Sequence, residues 1–306
     1  MTETPPEVHD KAGEWGQPMD KPADSSFVRA LALEPAAGAE TFAAHLHADW
    51  LQGPGVYGGL QAALLLAAQR ERLGRPDFAA RSLHVDFVRR ARPGPAIVEV
   101  ETVRIGRGAA QLRATLRDAD GAVVALGNGV FGAARGAGLA ADPPPPMPAI
   151  SAFSQTPVAR HGAGPPRFTQ QLEFRDALGG RVYGGHRRAH LGGWGRFVEA
   201  TPLDDAAVVA LLDAWPPAVL AKAHAQTPVA SITMTVQFAP PPPPFDGAAA
   251  AGAPADAVVF EASGRLDADG YFDEDATLWR ADGVWLASAR QRVVTFAAGG
   301  RAQAPA

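Results

Sequence analysis

The chain has 306 residues, 47% of them hydrophobic and 20% charged, enough to bury one large core or two small ones. A net charge of −4 gives no broad attraction for nucleic acid or anionic lipid, and no apolar run reaches the length of a membrane span, so neither is an expected partner. Cysteine is absent, which excludes disulfides, thiolate nucleophiles and cysteine zinc sites, and the start has no apolar leader core, so the cytoplasm is the expected location.

Residues 1–25 read as a disordered tail, and a first unit is expected over 26–135. Within it Gly53, Gly55 and Gly58 match the GxGxxG pattern of a dinucleotide turn. That pattern also needs a feeding strand and an acidic residue about 20 positions on. Only Asp77 stands nearby, before the next apolar run rather than at its end, so another purpose is sought for the glycines. They open a helix, 58–72, whose stretch GGLQAALLLAA is apolar on every side; such a helix is surrounded by protein. A strand ending in Phe87 follows at 82–88, then an alternating meander with an Asp-Gly turn at DADGA.

Residues 136–167, rich in proline and glycine, read as a linker, 168–298 as a second unit and 299–306 as a tail. The second unit repeats the order: a helix at 203–215 with Asp204 and Asp205 capping its start and Pro216-Pro217 ending it, then a strand at 230–238. A loop at 239–256 holds five consecutive prolines, which cannot join a sheet ladder. The turn RADGV and the run WLASARQRVV close the unit. One offset, 162 residues, separates Thr115 from Thr277 and Gly121 from Gly283. The pattern predicts a duplicated α+β unit, each copy an antiparallel sheet curled around its helix.

With that architecture in place, the chain resembles the double-hotdog acyl-CoA thioesterases of the thioesterase II type. The resemblance rests on GVYGGLQAALLLAA, SLHVDFVRRARPG and VEVETVRIGRG in the first unit, and on LLDAWPP, VASITMTVQF and LASARQRV in the second. It implies a tandem hotdog that hydrolyses acyl-CoA by direct attack of water, with no cofactor beyond the coenzyme A of the substrate. The absence of cysteine and of a serine in a GxSxG elbow fits a mechanism without a covalent intermediate.

Four residues are candidates for the chemistry. Asp213 is the only charge in AAVVALLDAW and lies in the last helical turn, where the macrodipole disfavours an anion; Val209 and Ala210 on its face are apolar. Strand alternation puts Gln291 inward with Ala287, Ala289 and Val293, while its counterpart in the first unit is Gly129. The family position at the start of the next strand, usually threonine, falls here on Ser231, or on Thr233 if the register shifts by two; alternation places both on one face. In the implied scheme Asp213 activates the water while Ser231 and Gln291 hold it.

Tyr57, Gly58 and Gly59 open the first helix, and its free N–H groups suit an oxyanion or line the acyl channel. The arginines of the run Arg89-Arg90-Ala91-Arg92, with Arg104 and Arg107, suit the coenzyme A phosphates. His84 is expected near the substrate as a structural histidine, and no metal is expected, because the pairs His45/His47 and His186/His190 lack a third ligand. Two rivals stay open: a hotdog enoyl-CoA hydratase or dehydratase, which needs a histidine beside Asp213, and a silent acyl-CoA-binding or lipid-binding module. Assembly into a homo-oligomer also stays open.

Overall fold

The computed structural model describes residues 25–38, 40–136, 138–160, 164–245 and 252–296; the two expected tails fall outside them, apart from Ser25. The chain begins with α1 (Ser26–Ala30), β1 (Glu34–Pro35), β2 (Thr41–Leu46) and a short hairpin of β3 (Leu51–Gln52) and β4 (Gly55–Val56). Then come α2 (Gly58–Leu73) and the meander β5 (Ala79–Phe87), β6 (Gly94–Ile105), β7 (Ala109–Arg117) and β8 (Val123–Gly132). The second unit has β9 (Leu172–Gly179), β10 (Ala189–Phe197), α3 (Asp205–Leu212), β11 (Val229–Phe238), β12 (Val258–Leu266), β13 (Tyr271–Arg280) and β14 (Trp285–Thr295).

Twelve strands form one antiparallel sheet in the order β1-β2-β6-β7-β8-β5-β11-β14-β13-β12-β10-β9. Read outward from its middle, the order in one half mirrors that in the other, as a duplication joined edge to edge requires. The join is β5 against β11, with Ser82–Asp86 paired to Thr233–Gln237. The fold is the expected double hotdog. Both Asp-Gly turns form: Asp118 accepts the N–H groups of Asp120 and Ala122, Asp282 accepts that of Val284, and Gly121 and Gly283 take the positive φ the turns demand.

The sheet wraps α2, whose residues from Gly59 to Leu66 are all buried, and α2 packs on α3. Gly74 ends α2 in the left-handed conformation, its N–H bonded to the Arg70 carbonyl. Asp204 caps α3 through the Ala207 N–H, as expected. Asp205 turns instead to Arg70 of α2.

The glycines at 53–58 shape the small hairpin and the start of α2, which is the other purpose sought for them. Two expectations change. Helix α3 stops at Leu212, shorter than 203–215, because Asp213 already leaves the helical region ahead of the prolines. Part of the linker is docked: Phe153, with Met147 and Ile150, packs on Trp194 and Trp279, whose indole N–H groups bond the Ser151 and Pro145 carbonyls.

Candidate active site

Asp213 and Ser231 meet Gln291, 78 and 60 residues further along the chain, at one point on the inner face of the second unit. The Gln291 Nε2 donates to Asp213 Oδ1 at 2.7 Å and to Ser231 Oγ at 2.6 Å. Gln291 is 6% exposed and points inward between Ala289 and Val293, as its alternation predicts. Across β11, Ser231 faces Val293 and so shares that inner face.

Asp213 sits at the wrong end of its own helix for an anion, and the compensation comes from the other unit. The N-terminus of α2 points at it, and Gly59 donates its N–H to the carboxylate. A Cβ on Gly58 would stand 2.8 Å from Asp213 Oδ2 and 3.1 Å from the Phe87 ring, so only glycine permits this approach. Burial pushes the Asp213 carboxyl up to about 7, against the hydrogen bonds from Gln291 and Gly59 that favour the charged form. A carboxyl so held can take up a proton near neutrality, as a general base must.

Four expected site residues do not bond the cluster. A β-bulge between Ser231 and Thr233 shifts the register, so Thr233 pairs with Arg292 and Asp86 and lies on the opposite face from Gln291. Alternation without a bulge would have kept the two hydroxyls together, so Ser231 alone reaches the cluster. Tyr57 is fully buried between Trp50 and Phe168, and its hydroxyl donates to the Ala210 carbonyl of α3. It fastens the start of α2 to the end of α3 and presents no surface to solvent. His84 is on the outer face, since Leu83 and Val85 take the inner one; its ring bonds Thr235 at 2.8 Å and Asp86 at 3.2 Å. Arg104 approaches the β6–β7 turn, at the end of the sheet where Ala109 and Ala79 meet Gly132. Phe87, beside Gly58, is at the other end of the nine-residue strand β5, roughly 25 Å away. Arg104 and Arg89 therefore cannot grip one phosphate group, and only the Arg89–Arg92 run shares the end that carries Asp213.

Neither His84 nor His190 bonds Asp213, as the histidine partner of a hydratase would: His84 bonds Thr235 and Asp86, and His190 bonds Glu261 at 2.9 Å. One inner-face residue escaped the sequence reading. Glu274 on β13 stands opposite Gln291, and the alternation Phe272, Glu274, Ala276, Leu278 contains the signal for it.

The comparisons agree with the fold. The acyl-CoA thioesterase N-terminal domain matches residues 46–132 and the acyl-CoA thioesterase C-terminal domain matches residues 141–295. Among solved structures, a conserved protein of unknown function with a hot dog fold from Alicyclobacillus acidocaldarius is similar at 26% identity and a TM-score of 0.74, covering 89% of this chain and 98% of that one. The acyl-CoA thioesterase II TesB2 of Mycobacterium marinum superposes with a TM-score of 0.66 at 18% identity over 90% of this chain and 98% of its own, a likeness of fold. No curated protein matches. No helix among the described residues is long and apolar enough to cross a membrane. Since the two domain models match the two halves in order, the chain belongs to the acyl-CoA thioesterase family and is a thioester hydrolase.

Proposed function

We propose that the protein hydrolyses acyl-CoA to a free acid and coenzyme A by direct attack of water, with Asp213 as the base. The observation that carries this reading is the joining of Asp213, Gln291 and Ser231 at the N-terminus of α2. Asp213 takes a proton from water as the oxygen adds to the thioester carbonyl carbon. The oxyanion forms against the start of α2, where the Gly58 N–H has no partner among the described residues. Collapse of the adduct breaks the C–S bond, and the proton held by Asp213 passes to the departing thiolate. Ser231 accepts from Gln291, which leaves its own O–H free to orient the water. Arg89 and Arg90, at the same end of the sheet, are the cations placed for the phosphates of coenzyme A.

The test is thiol release from acyl-CoAs of graded chain length by wild type, Asp213→Asn and Gln291→Ala. Because only the carboxylate accepts a proton, kcat/KM should rise with pH around a midpoint near 7. Binding of acyl-CoA with no thiol released at any pH would refute the proposal.

A further inference from the structure

The water-attack scheme leaves one buried acid of the same face unused. Glu274 is 4% exposed, flanked by Gly264 on β12 and Gln291 on β14. Its Oε2 accepts the N–H of Ala218, the first residue of the 3-10 turn (Ala218–Ala221) that follows Pro216-Pro217. Its strand neighbours Asp273 and Asp275 face the other way, toward Arg290 and Arg292. No cation among the described residues pairs with Glu274 itself. The groups that face it are Asp213 from α3, the Gln291 amide from β14 and the Ala218 amide, with Asp275 more remote on its own strand and Tyr57 behind Asp213.

A buried carboxyl without a cation holds its proton, and a second carboxyl beside it strengthens the hold. Burial first, then the charges of Asp213 and Asp275, push Glu274 up to about 8, against the Ala218 hydrogen bond. Of the two carboxyls, Asp213 is the one that gives up its proton first.

Resting on the proposed hydrolysis, we infer that Glu274 is a positioning residue that works as a neutral acid: it anchors the Ala218 turn and backs the Gln291 amide, and loss of its proton disables the site. Only the neutral form has an O–H to donate. The carbonyl of Gln291, one strand away, is the acceptor that would fix Nε2 toward Asp213 and Ser231. Ionised Glu274 loses that bond and sets a further negative charge beside an oxyanion forming in a desolvated pocket. Glu274 touches neither water nor thioester in this scheme. It acts through Gln291.

The experiment is a pH–rate profile of thiol release between about pH 5 and pH 10 for wild type, Glu274→Gln and Glu274→Leu. Wild type should rise through the Asp213 titration and fall above about 8, by about tenfold per pH unit. Glu274→Gln, uncharged at every pH, should keep the rise and lose the fall. Glu274→Leu, which can make neither hydrogen bond, should lower kcat by roughly tenfold throughout while KM changes little. An alkaline fall that persists in Glu274→Gln, its absence from wild type, or full activity in Glu274→Leu would overturn the inference. If wild type hydrolyses no acyl-CoA at any pH, the hydrolysis reading fails on its own. The infrared carbonyl band of a protonated carboxyl then decides for Glu274: a band at pH 7 that survives Asp213→Asn and vanishes in Glu274→Gln supports it, and no such band overturns it.

Discussion

The two units share a scaffold down to its irregularities. The bulge between Ser231 and Thr233 on β11 has its twin between Ala80 and Ser82 on β5, at the same point of the pairing with the neighbouring strand. What lines that scaffold differs. Where the second unit has Ser231, Gln291 and Glu274, the first has Ala80, Gly129 and Leu112, and Asp213, counted from the helix starts, corresponds to Leu66. The space beside Gly129 is filled by Gln69 of α2, whose Nε2 donates to the Gly127 carbonyl at 2.9 Å. One fold thus tolerates both an apolar and a polar lining. Burying polar groups is unfavourable unless they are satisfied, and the first unit shows that the architecture does not need them. Under the proposed function the second set is there for chemistry.

The strongest way to break this comparison is Asp213→Asn, which keeps the shape and removes the base. Thiol release should fall by about 10³-fold or more. Stability should move the other way. The folded-state pKa of Asp213 is raised, so the native state binds the extra proton, and the wild type loses stability as pH climbs from the unfolded value toward about 7. Asparagine is free of that loss. Thermal melts at pH 8 should place the variant at or above wild type, and a variant that melts well below it would make Asp213 a structural residue.

Gln291→Ala should cost about 10²-fold in kcat with a smaller effect on KM, since the amide orients the base and the hydroxyl rather than binding the acyl group. Full activity in this variant would mean that the second unit's lining is as dispensable as that of the first.

A mutation in the first unit sharpens the comparison differently, because Tyr57 ties that unit's helix to α3 without touching Gln291 or Ser231. Tyr57→Phe leaves the Ala210 carbonyl without its buried donor, and we expect a loss of about 2 kcal/mol, read as a lower denaturant midpoint at unchanged slope.

How much of this was legible depended on the range of the signal. Period-two alternation placed Gln291 correctly, the apolar run from Gly59 foretold the wrapped helix, and the offset of 162 foretold the second copy. The same alternation held Glu274, hidden in the acidic run Asp273 to Asp275 that looks like a solvated edge. The surroundings of Tyr57 were not legible because its partner lies 153 residues away on α3. Those of Arg104 were not legible because composition shows a charge but not the end of the sheet that carries it.

The bulge on β11 is the finest point of the comparison and yields the smallest expected effect. Simple alternation gives Ser231 and Thr233 equal claims. The extra residue, Ile232, cancels the alternation and puts Thr233 opposite Arg292 on the far side of the sheet. With that register, Ser231→Ala removes the hydroxyl that accepts from Gln291 and should lower kcat by roughly tenfold, the scale of one lost neutral hydrogen bond. Thr233→Ala should change kcat less than about twofold, because its side chain faces away from the carboxylate. The first unit carries the same bulge with Ala80 at the position of Ser231, so the bulge belongs to the inherited sheet and the hydroxyl to the site. Reversed effects for the two variants would place the register shift on the other side of Ile232 and exchange the residues' roles, leaving Asp213 and Gln291 where they are.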